Sequence, residues 1–327
     1  MGQFWSQSFF IPEPPLTEKN LPDQTGKVHI VTGGYTGVGL ELATILFQKN
    51  AIVYIAGRTE SKYKDGLAKV QSRVPTSNGR IEFLKLDLAD LTTIKKSAEE
   101  FMSREQRLDV LTNNAGVMNP PKGTLSAQGY DIQMATNCLG SYLFTQCLHP
   151  ILKRTAASAA PNSVRVTWAG SISIHIGSPS GGIQFNSDGT PKVQSYPFIE
   201  YAQTKVGNFW LGTEFARRYG RDGIISVSWN PGNLTSELQR HAKWIFLLLT
   251  GWLLHPTVFG AYTELYAGWS TDIDQSKNGT YIVPWGRDGL ATMRKDVLLG
   301  SRSTAEGGTG TAEKFWEWCD RETKKYM

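Results

Sequence analysis

Short apolar runs alternate with amphipathic stretches along most of this 327-residue chain. Continuous runs such as Ile52-Val53-Tyr54-Ile55-Ala56 are typical of strands that are covered on both faces. Strands are predicted over residues 27–32, 52–56, 81–86, 108–112, 163–169, 223–229 and 280–283. Helices are predicted over 38–49, 61–72, 91–104, 124–153, 200–219 and 256–269. This alternation predicts an α/β fold with a doubly wound, seven-stranded, mostly parallel sheet and right-handed crossovers.

The first 26 residues are predicted to be an extended arm, because four prolines interrupt any helix there. No linker divides the rest, so residues 27–327 are predicted to form one domain. Two insertions stand out within it: a loop rich in Gly and Pro at 172–199 and an apolar segment at 233–255. Both are expected to overhang the carboxyl ends of the strands, where ligands bind in open α/β sheets.

Composition narrows the classes of function. The net charge of +5 comes from 34 basic and 29 acidic residues that are scattered along the chain, so nothing favours nucleic-acid binding. Three cysteines, at 138, 147 and 319, and five isolated histidines lack any metal-ligand spacing. We therefore predict buried free thiols, no metal site and a reducing, cytoplasmic environment.

The longest apolar run, residues 244–254, is too short to cross a membrane. The N-terminus lacks the positively charged region of a secretory signal. The first six residues, Met1-Gly2-Gln3-Phe4-Trp5-Ser6, do match the myristoylation pattern. One such chain binds membranes only weakly, so a weak peripheral association through Gly2 or the 244–254 segment stays open.

A glycine-rich turn, Thr32-Gly33-Gly34-Tyr35-Thr36-Gly37-Val38-Gly39, follows the first predicted strand and opens a helix. Glycines let the backbone approach a pyrophosphate, and the helix N-terminus offers free N–H groups. The residues expected to contact the cofactor here are Thr32, Gly33, Gly37, Val38 and Gly39. The order strand, glycine turn and helix predicts a Rossmann-type dinucleotide site.

The choice of cofactor depends on the end of the second strand, where Arg58 stands. An acidic residue at this place would bind the ribose 2′-hydroxyl of NAD, whereas arginine meets a 2′-phosphate with charge-assisted hydrogen bonds. Lys62 can assist, and Glu60 is expected to lie further round the loop. The sequence therefore predicts NADP(H). Asp87, at the end of the third strand, is a candidate partner for the adenine amino group, and Asn114, Ala115 and Gly116 for the ribose.

Four residues are candidates for the chemistry. Tyr201 and Lys205 lie one helical turn apart, and an adjacent ammonium lowers the pKa of a phenol towards the range useful for acid–base catalysis. Ser171 ends a strand, where its hydroxyl can stabilise a substrate oxygen, with Ser173 as an alternative. Asn137 is either the N-cap of the following helix or the holder of a water next to Lys205.

These motifs, in this order and spacing, resemble the short-chain dehydrogenase/reductase family from about Lys27 to Val283. The family patterns TGxxxGxG, NNAG, catalytic Ser and YxxxK are met, and Gly170 stands where the family often has a second serine. The resemblance implies a nicotinamide between Tyr201 and a turn formed by Pro231, Gly232, Leu234 and Thr235. It also implies a homodimer through the helices near 137–153 and 200–219. The interval from Ser171 to Tyr201 resembles the retinol-dehydrogenase-like branch, and both termini resemble fungal members from secondary metabolism.

We therefore expect an NADP(H)-dependent oxidoreductase in which Tyr201 is the general acid and base. The apolar side chains of Trp244, Phe246, Leu247, Leu248 and Trp252 indicate a bulky apolar or aromatic carbonyl or alcohol substrate. Two alternatives stay open: a non-redox enzyme, such as a dehydratase or cyclase, in the same pocket, and a non-catalytic scaffold that binds the cofactor.

Overall fold

A computed structural model describes residues 6–9, 11–234 and 254–327. Eight strands of these residues form one sheet in the order β3-β2-β1-β4-β5-β6-β7-β8. The strands are β1 (Val28–Thr32), β2 (Ile52–Gly57), β3 (Arg80–Lys85), β4 (Val110–Asn113), β5 (Val164–Ala169), β6 (Ile224–Trp229), β7 (Tyr281–Val283) and β8 (Arg287–Asp288). The order reverses between β1 and β4, which is the switch point of a doubly wound fold.

The Rossmann-type α/β class is confirmed, and all seven predicted strands are present. The predicted strand number is wrong by one, because β8 adds a short antiparallel edge strand beside β7. The six other ladders are parallel. A two-residue strand is too short to leave a periodic signal in the sequence.

Helices cover both faces of the sheet. They are α1 (Gly37–Gln48), α2 (Glu60–Arg73), α3 (Leu91–Arg104), α4 (Ile132–Met134), α5 (Ser141–Ala156), α6 (Ser173–Ile176), α7 (Pro197–Tyr219), α8 (Thr257–Trp269), α9 (Lys295–Ser301) and α10 (Thr311–Thr323). A π-helical turn, Ala135–Gly140, joins α4 to α5. The predicted helix over 124–153 therefore starts too early, because Asp131 caps α4 through the N–H groups of Gln133 and Met134.

Packing explains why the central strands are continuously apolar. β1, β5 and β6 are buried along their whole length. One face of the sheet packs with α3, α5 and α7, and the other packs with α1 and α8. Strands that lose solvent on both faces gain from an apolar side chain at every position. This rigid sheet brings the ends of β1, β2, β4, β5 and β6 to one edge.

The C-terminal helix α10 lies across α5 and α7. Trp316 packs edge-on against Tyr142 of α5, with ring centroids 4.8 Å apart, and close to Phe215 and Tyr219 of α7. The Tyr142 hydroxyl donates a hydrogen bond to Asp320. These are the two helices on which the family resemblance places a dimer contact, and their apolar side chains here are buried by the chain's own last helix.

Part of the N-terminal arm belongs to the core. Leu16 and Leu21 are buried with Leu42 and Leu46 of α1, and Tyr262 donates a hydrogen bond to Glu18. Residues 6–8, which precede Leu16, Glu18 and Leu21 in the arm, form a single helical turn. Among the described residues, no helix is both long and apolar enough to span a membrane.

Candidate active site

The glycine turn joins β1 to α1 at the switch point of the sheet. Gly33 and Gly37 have positive φ angles of 67° and 56°, which L side chains rarely adopt. The Gly33 N–H donates to the Ala56 carbonyl at the end of β2. α1 begins at Gly37, and its N-cap residue, Thr36, makes no side-chain cap. The first N–H groups of α1 are therefore available to an anion.

Asn114 ties this turn to the end of β4. Its side-chain nitrogen donates to the Thr32 carbonyl at 2.8 Å, and the Thr32 hydroxyl accepts from the Ala115 N–H at 2.9 Å. A Cβ on Gly39 would lie 2.5 Å from the same Asn114 nitrogen. The turn is therefore a cradle whose width only glycine permits, and its free donors suit a pyrophosphate. The residues present fit a dinucleotide.

The adenosine end of the cleft is lined by basic and polar groups. Arg58 and Lys62 line it and are exposed, and neither forms an ion pair with a described residue. Glu60 pairs instead with Lys64 at 3.0 Å. Asp87 lines the cleft and accepts from the Ala89 N–H, so its side chain is held at the end of β3. Two unpaired cations at this position fit a group with an additional phosphate.

Tyr201 and Lys205 lie on α7 with their side chains in the same cleft. The Lys205 ammonium lies 5.4 Å from the centre of the Tyr201 ring and donates to the Ala169 carbonyl at 2.8 Å. Burial raises the pKa of Tyr201 to about 12, and a hydrogen bond with the Ser171 side chain acts in the opposite direction. Burial also lowers the pKa of Lys205 to about 8. The predicted fall in the pKa of Tyr201 through Lys205 is therefore wrong: desolvation raises this pKa, and the hydrogen bond with Ser171 is what lowers it.

Asn137 is fully buried in the π-helical turn, so its interpretation as an N-cap is wrong. Its side chain accepts from the Val117 N–H at 2.8 Å and donates to the Val117 carbonyl and the Thr204 hydroxyl. A Cβ on Gly116 would meet both the Asn137 oxygen, at 3.1 Å, and the Lys205 nitrogen, at 3.5 Å. Asn137 therefore lies close to Lys205, and the π turn supplies its position, as such turns often do at functional sites.

Ser171 follows β5 and has its hydroxyl next to Tyr201. The same oxygen accepts from the Ser173 N–H at 3.1 Å, whereas the Ser173 hydroxyl is buried elsewhere without a described partner. This geometry favours Ser171 over Ser173. The structure explains why a glycine precedes Ser171: a Cβ on Gly170 would lie 2.7 Å from the Tyr281 ring. The Tyr281 hydroxyl then donates to the Ser171 carbonyl at 3.2 Å.

The turn after β6 closes the cleft on the other side. Pro231 lines the cleft, and Gly232 has a φ of 85°. Leu234 is buried and forms a bridge with His255. Pro231, Leu234 and Val38 converge on Gly260 of α8, where a Cβ would clash with the Leu234 side chain. Thr235 lies outside the described residues, as do the five apolar side chains of 244–252 that were expected to contact substrate.

One cleft thus brings together most of the predicted site. It is lined by Thr32, Gly33, Gly37, Val38, Arg58, Lys62, Asp87, Asn114, Ala115, Gly116, Tyr201, Lys205 and Pro231. Gly39, Asn137 and Ser171 lie directly behind this lining. No member of the 172–199 loop lines the cleft; its Gly182 packs instead against Trp210 of α7. Within the described ranges, no cluster of His, Cys, Asp or Glu has the geometry of a metal site.

Sequence reasoning missed three residues that shape the site. Tyr281 supports Ser171, Gly260 admits the Pro231 turn, and Asn230 accepts hydrogen bonds from the N–H groups of Ile172 and Gly232. A signal existed only for Asn230, which directly precedes the Pro-Gly turn. Tyr281 and Gly260 are ordinary members of a strand and a helix, and only tertiary contact gives them a role.

Comparison with known proteins agrees with this geometry. The family model described as short chain dehydrogenase matches residues 27–161. A short-chain dehydrogenase/reductase from Phomopsis amygdali is 43% identical over 99% of this chain and 97% of its own length. Short-chain dehydrogenase/reductase bet4 from Neocamarosporium betae is 41% identical over 100% of this chain and 94% of its own.

Solved structures show the same fold at lower identity. An uncharacterised protein from Mycobacterium paratuberculosis has a TM-score of 0.67 at 23% identity, covering 94% of this chain and 97% of its own. The Pseudomonas aeruginosa RhlG/NADP active-site complex has a TM-score of 0.52 at 24% identity, covering 67% of this chain and 77% of its own.

Proposed function

Because the chain belongs to the short-chain dehydrogenase/reductase family, and so to a family of oxidoreductases that bind a nicotinamide cofactor, we propose that it is an NADP(H)-dependent carbonyl reductase or alcohol dehydrogenase. One observation carries the proposal: Tyr201, Lys205 and Ser171 meet at the end of the cleft that begins with the glycine turn. When bound, the nicotinamide supplies or accepts the hydride. We assign the catalytic domain to residues 27–327 and the arm to 1–26.

Tyr201 is the proposed general acid in the reductive direction. Its high pKa keeps the phenol protonated at neutral pH, so it can donate a proton to the carbonyl oxygen as negative charge develops there. The Ser171 hydroxyl, already next to the phenol, stabilises that oxygen by a hydrogen bond. For alcohol oxidation the roles reverse, and Tyr201 accepts the proton.

Lys205 and Asn137 are proposed to resupply the proton. Lys205 is buried with a pKa lowered to about 8, so it can exchange a proton near neutral pH. Its ammonium also stabilises the Tyr201 phenolate once the proton has left. Asn137 is held close to Lys205 by the Val117 backbone and can position a water between the lysine and solvent.

Arg58 supports NADP(H) over NAD(H). Its guanidinium and the Lys62 ammonium are exposed at the adenosine end and are free of carboxylates, because Glu60 is engaged with Lys64. A 2′-phosphate would meet both cations with charge-assisted hydrogen bonds. The structurally similar RhlG protein forms a complex with NADP.

The substrate is proposed to be bulky and apolar. The proposal rests on the apolar sequence of residues 244–252. Most of the large apolar side chains that are exposed among the described residues lie near the starts of α4 and α7 but outside the lining of the cofactor cleft: Leu125, Ile176, Val193, Tyr196 and Phe198. The Gln133 side chain donates to the Pro197 carbonyl, so the starts of α4 and α7 are in contact. Relatives from several fungi support a role in secondary metabolism.

A homodimer, which is common in the family, stays a prediction for this chain. α10 covers the apolar faces of α5 and α7, so a dimer through those helices would have to include α10 or displace it. Cytoplasmic location and weak membrane association through Gly2 also stay predictions.

The deciding experiment is a titration of the purified protein with NADPH and with NADH, followed by tryptophan fluorescence. We expect NADPH to bind at least tenfold more tightly, and Arg58→Glu to reverse that preference. Arg221→Glu, the same charge change at an exposed arginine outside the cleft, is the matched control. Tighter binding of NADH to the parent protein would refute the role of Arg58, and binding of neither would refute a nicotinamide-dependent enzyme. Binding of NADPH without turnover of any carbonyl or alcohol would favour the scaffold. Product analysis without net redox change would identify a dehydratase or cyclase.

A further inference from the structure

We propose that residues 6–8 of the N-terminal arm are a positioning element of the active site, in which Gln7 acts through Asn230. The expected effect on turnover rests on the proposed function above. The expected effect on the backbone around Ile172 and Gly232 does not. The relevant contacts lie behind the Ser171 loop and the Pro231 turn, at the end of the cleft where the four candidate catalytic residues meet.

Asn230 is the junction between these two segments. Its side chain is 1% exposed, and its carbonyl oxygen accepts from the N–H groups of Ile172 and Gly232, both at 3.1 Å. Ile172 directly follows Ser171, and Gly232 directly follows Pro231. One amide oxygen therefore sets the distance between the candidate oxyanion donor and the turn proposed to contact the nicotinamide.

Gln7 fixes the orientation of that amide. The Asn230 side-chain nitrogen donates to the Gln7 side-chain oxygen at 2.7 Å, and Gln7 is itself 2% exposed. A buried amide nitrogen needs an acceptor, and a rotated Asn230 would present two donors to the N–H groups that its oxygen now serves. Gln7, 223 residues away in sequence, therefore keeps the Asn230 oxygen directed at both segments.

Two further contacts hold this part of the arm in place. The Ser8 hydroxyl accepts from the Asn233 side chain at 2.7 Å, and Arg287 donates to the Ser6 carbonyl at 2.7 Å. The later part of the arm packs against α1 through Leu16 and Leu21. The two halves of the arm thus make different contacts. Leu16 and Leu21 complete the core, whereas residues 6–8 hydrogen-bond Asn230, Asn233 and Arg287.

Gln7→Met tests the proposal, because methionine has nearly the same shape but cannot accept this hydrogen bond. Gln7→Glu retains an acceptor at the same place, and Gln106→Met makes the same change at an exposed glutamine. Amide hydrogen exchange at Ile172 and Gly232 is measured first, since it requires neither cofactor nor substrate. We expect exchange at both amides to become at least tenfold faster in Gln7→Met, and to stay close to the parent rate in Gln7→Glu and Gln106→Met.

The catalytic consequence is measured with NADPH and 9,10-phenanthrenequinone, an aromatic diketone probe. We expect kcat to fall about tenfold in Gln7→Met with a smaller change in KM, because misplacement of reacting groups lowers turnover more than binding. Gln7→Glu should retain most of the parent kcat, which a role for side-chain volume alone would not explain. If Gln7→Met does not fold, Ser8→Ala, which loosens the same turn, should give the same changes at smaller size.

Unchanged exchange at Ile172 and Gly232 in a folded Gln7→Met protein would refute the claim that Gln7 orients the Asn230 side chain. Faster exchange with unchanged kcat would overturn the positioning role. Failure of the parent protein to bind NADPH would refute the proposed function and leave the exchange result intact, so the two failures are distinguishable.

Discussion

The two ends of the cleft are built differently. At the cofactor end, Thr32, Gly39 and Asn114 belong to recognisable motifs at adjacent strand ends, and they contact one another directly. At the catalytic end, Ser171 is held by Tyr281, which belongs to no motif, and its loop is held by Asn230, which only precedes the Pro-Gly turn. The difference shows that local turns can place the groups that fit a dinucleotide, whereas the candidate catalytic groups depend on contacts between distant parts of the chain.

The largest expected effect is at the catalytic end, at Tyr201. Tyr201→Phe should lower turnover about 10²- to 10⁴-fold, because it removes the general acid, and should leave NADPH affinity nearly unchanged. Steady-state kinetics with a carbonyl substrate and fluorescence titration measure the two effects separately. Near-normal turnover would mean that another group donates the proton.

Gly39→Ala breaks the cofactor end alone. Its Cβ would lie 2.5 Å from the Asn114 nitrogen, so the hydrogen bond from Asn114 to Thr32 must shift. We expect NADPH affinity to fall about tenfold or more, because the turn that would contact the pyrophosphate changes shape. The overpacking itself should cost about 1–3 kcal/mol in the free energy of unfolding. Gly268→Ala is the control, because a Cβ there makes only ordinary contacts. Equal NADPH affinity of Gly39→Ala and Gly268→Ala would refute the claim that the glycine turn binds the cofactor.

Gly170→Ala breaks the catalytic end alone. Its Cβ would lie 2.7 Å from the Tyr281 ring, and the shift should move Ser171. We expect a loss of about 1–2 kcal/mol in the free energy of unfolding and a fall in kcat, with little change in NADPH affinity. Addition of Tyr281→Leu should recover part of the stability. Additive losses in the double variant would show that the two residues do not share the space.

The smallest expected effect concerns the free energy of unfolding alone, and it comes from His29, which lines neither end of the cleft. His29 is buried in β1, packs edge-on against Trp269, and has a pKa lowered to about 4 by burial. Since its unfolded pKa is near 6.5, the unfolded chain binds the proton first, and stability falls as the pH drops below 6.5.

By pH 5.5 this loss should reach about 1.4 kcal/mol, and it should be absent in His29→Phe. Urea unfolding at pH 7.5 and 5.5 measures the difference between the two proteins. Parallel pH dependence would show that other groups cause any acid instability. Affinity for NADPH at pH 7.5 should be the same in both proteins.

Much of this protein is determined by local sequence. Alternation of buried strands and amphipathic helices specifies the α/β class, since strands covered on both faces must be apolar throughout. Gly33 and Gly37 specify a turn because few other residues adopt their φ angles, and the four-residue spacing of Tyr201 and Lys205 specifies a shared helix face.

Tertiary structure decided the rest. The π turn around Asn137 depends on hydrogen bonds to Val117 and Thr204, which are distant in sequence, and no periodicity predicts such contacts. The pKa values of Tyr201 and Lys205 depend on burial more than on their spacing. Gly170 has its meaning only because Tyr281 fills the space above it. Local conformational preferences depend on each residue and its neighbours in sequence, but desolvation and close packing exist only once the chain has folded.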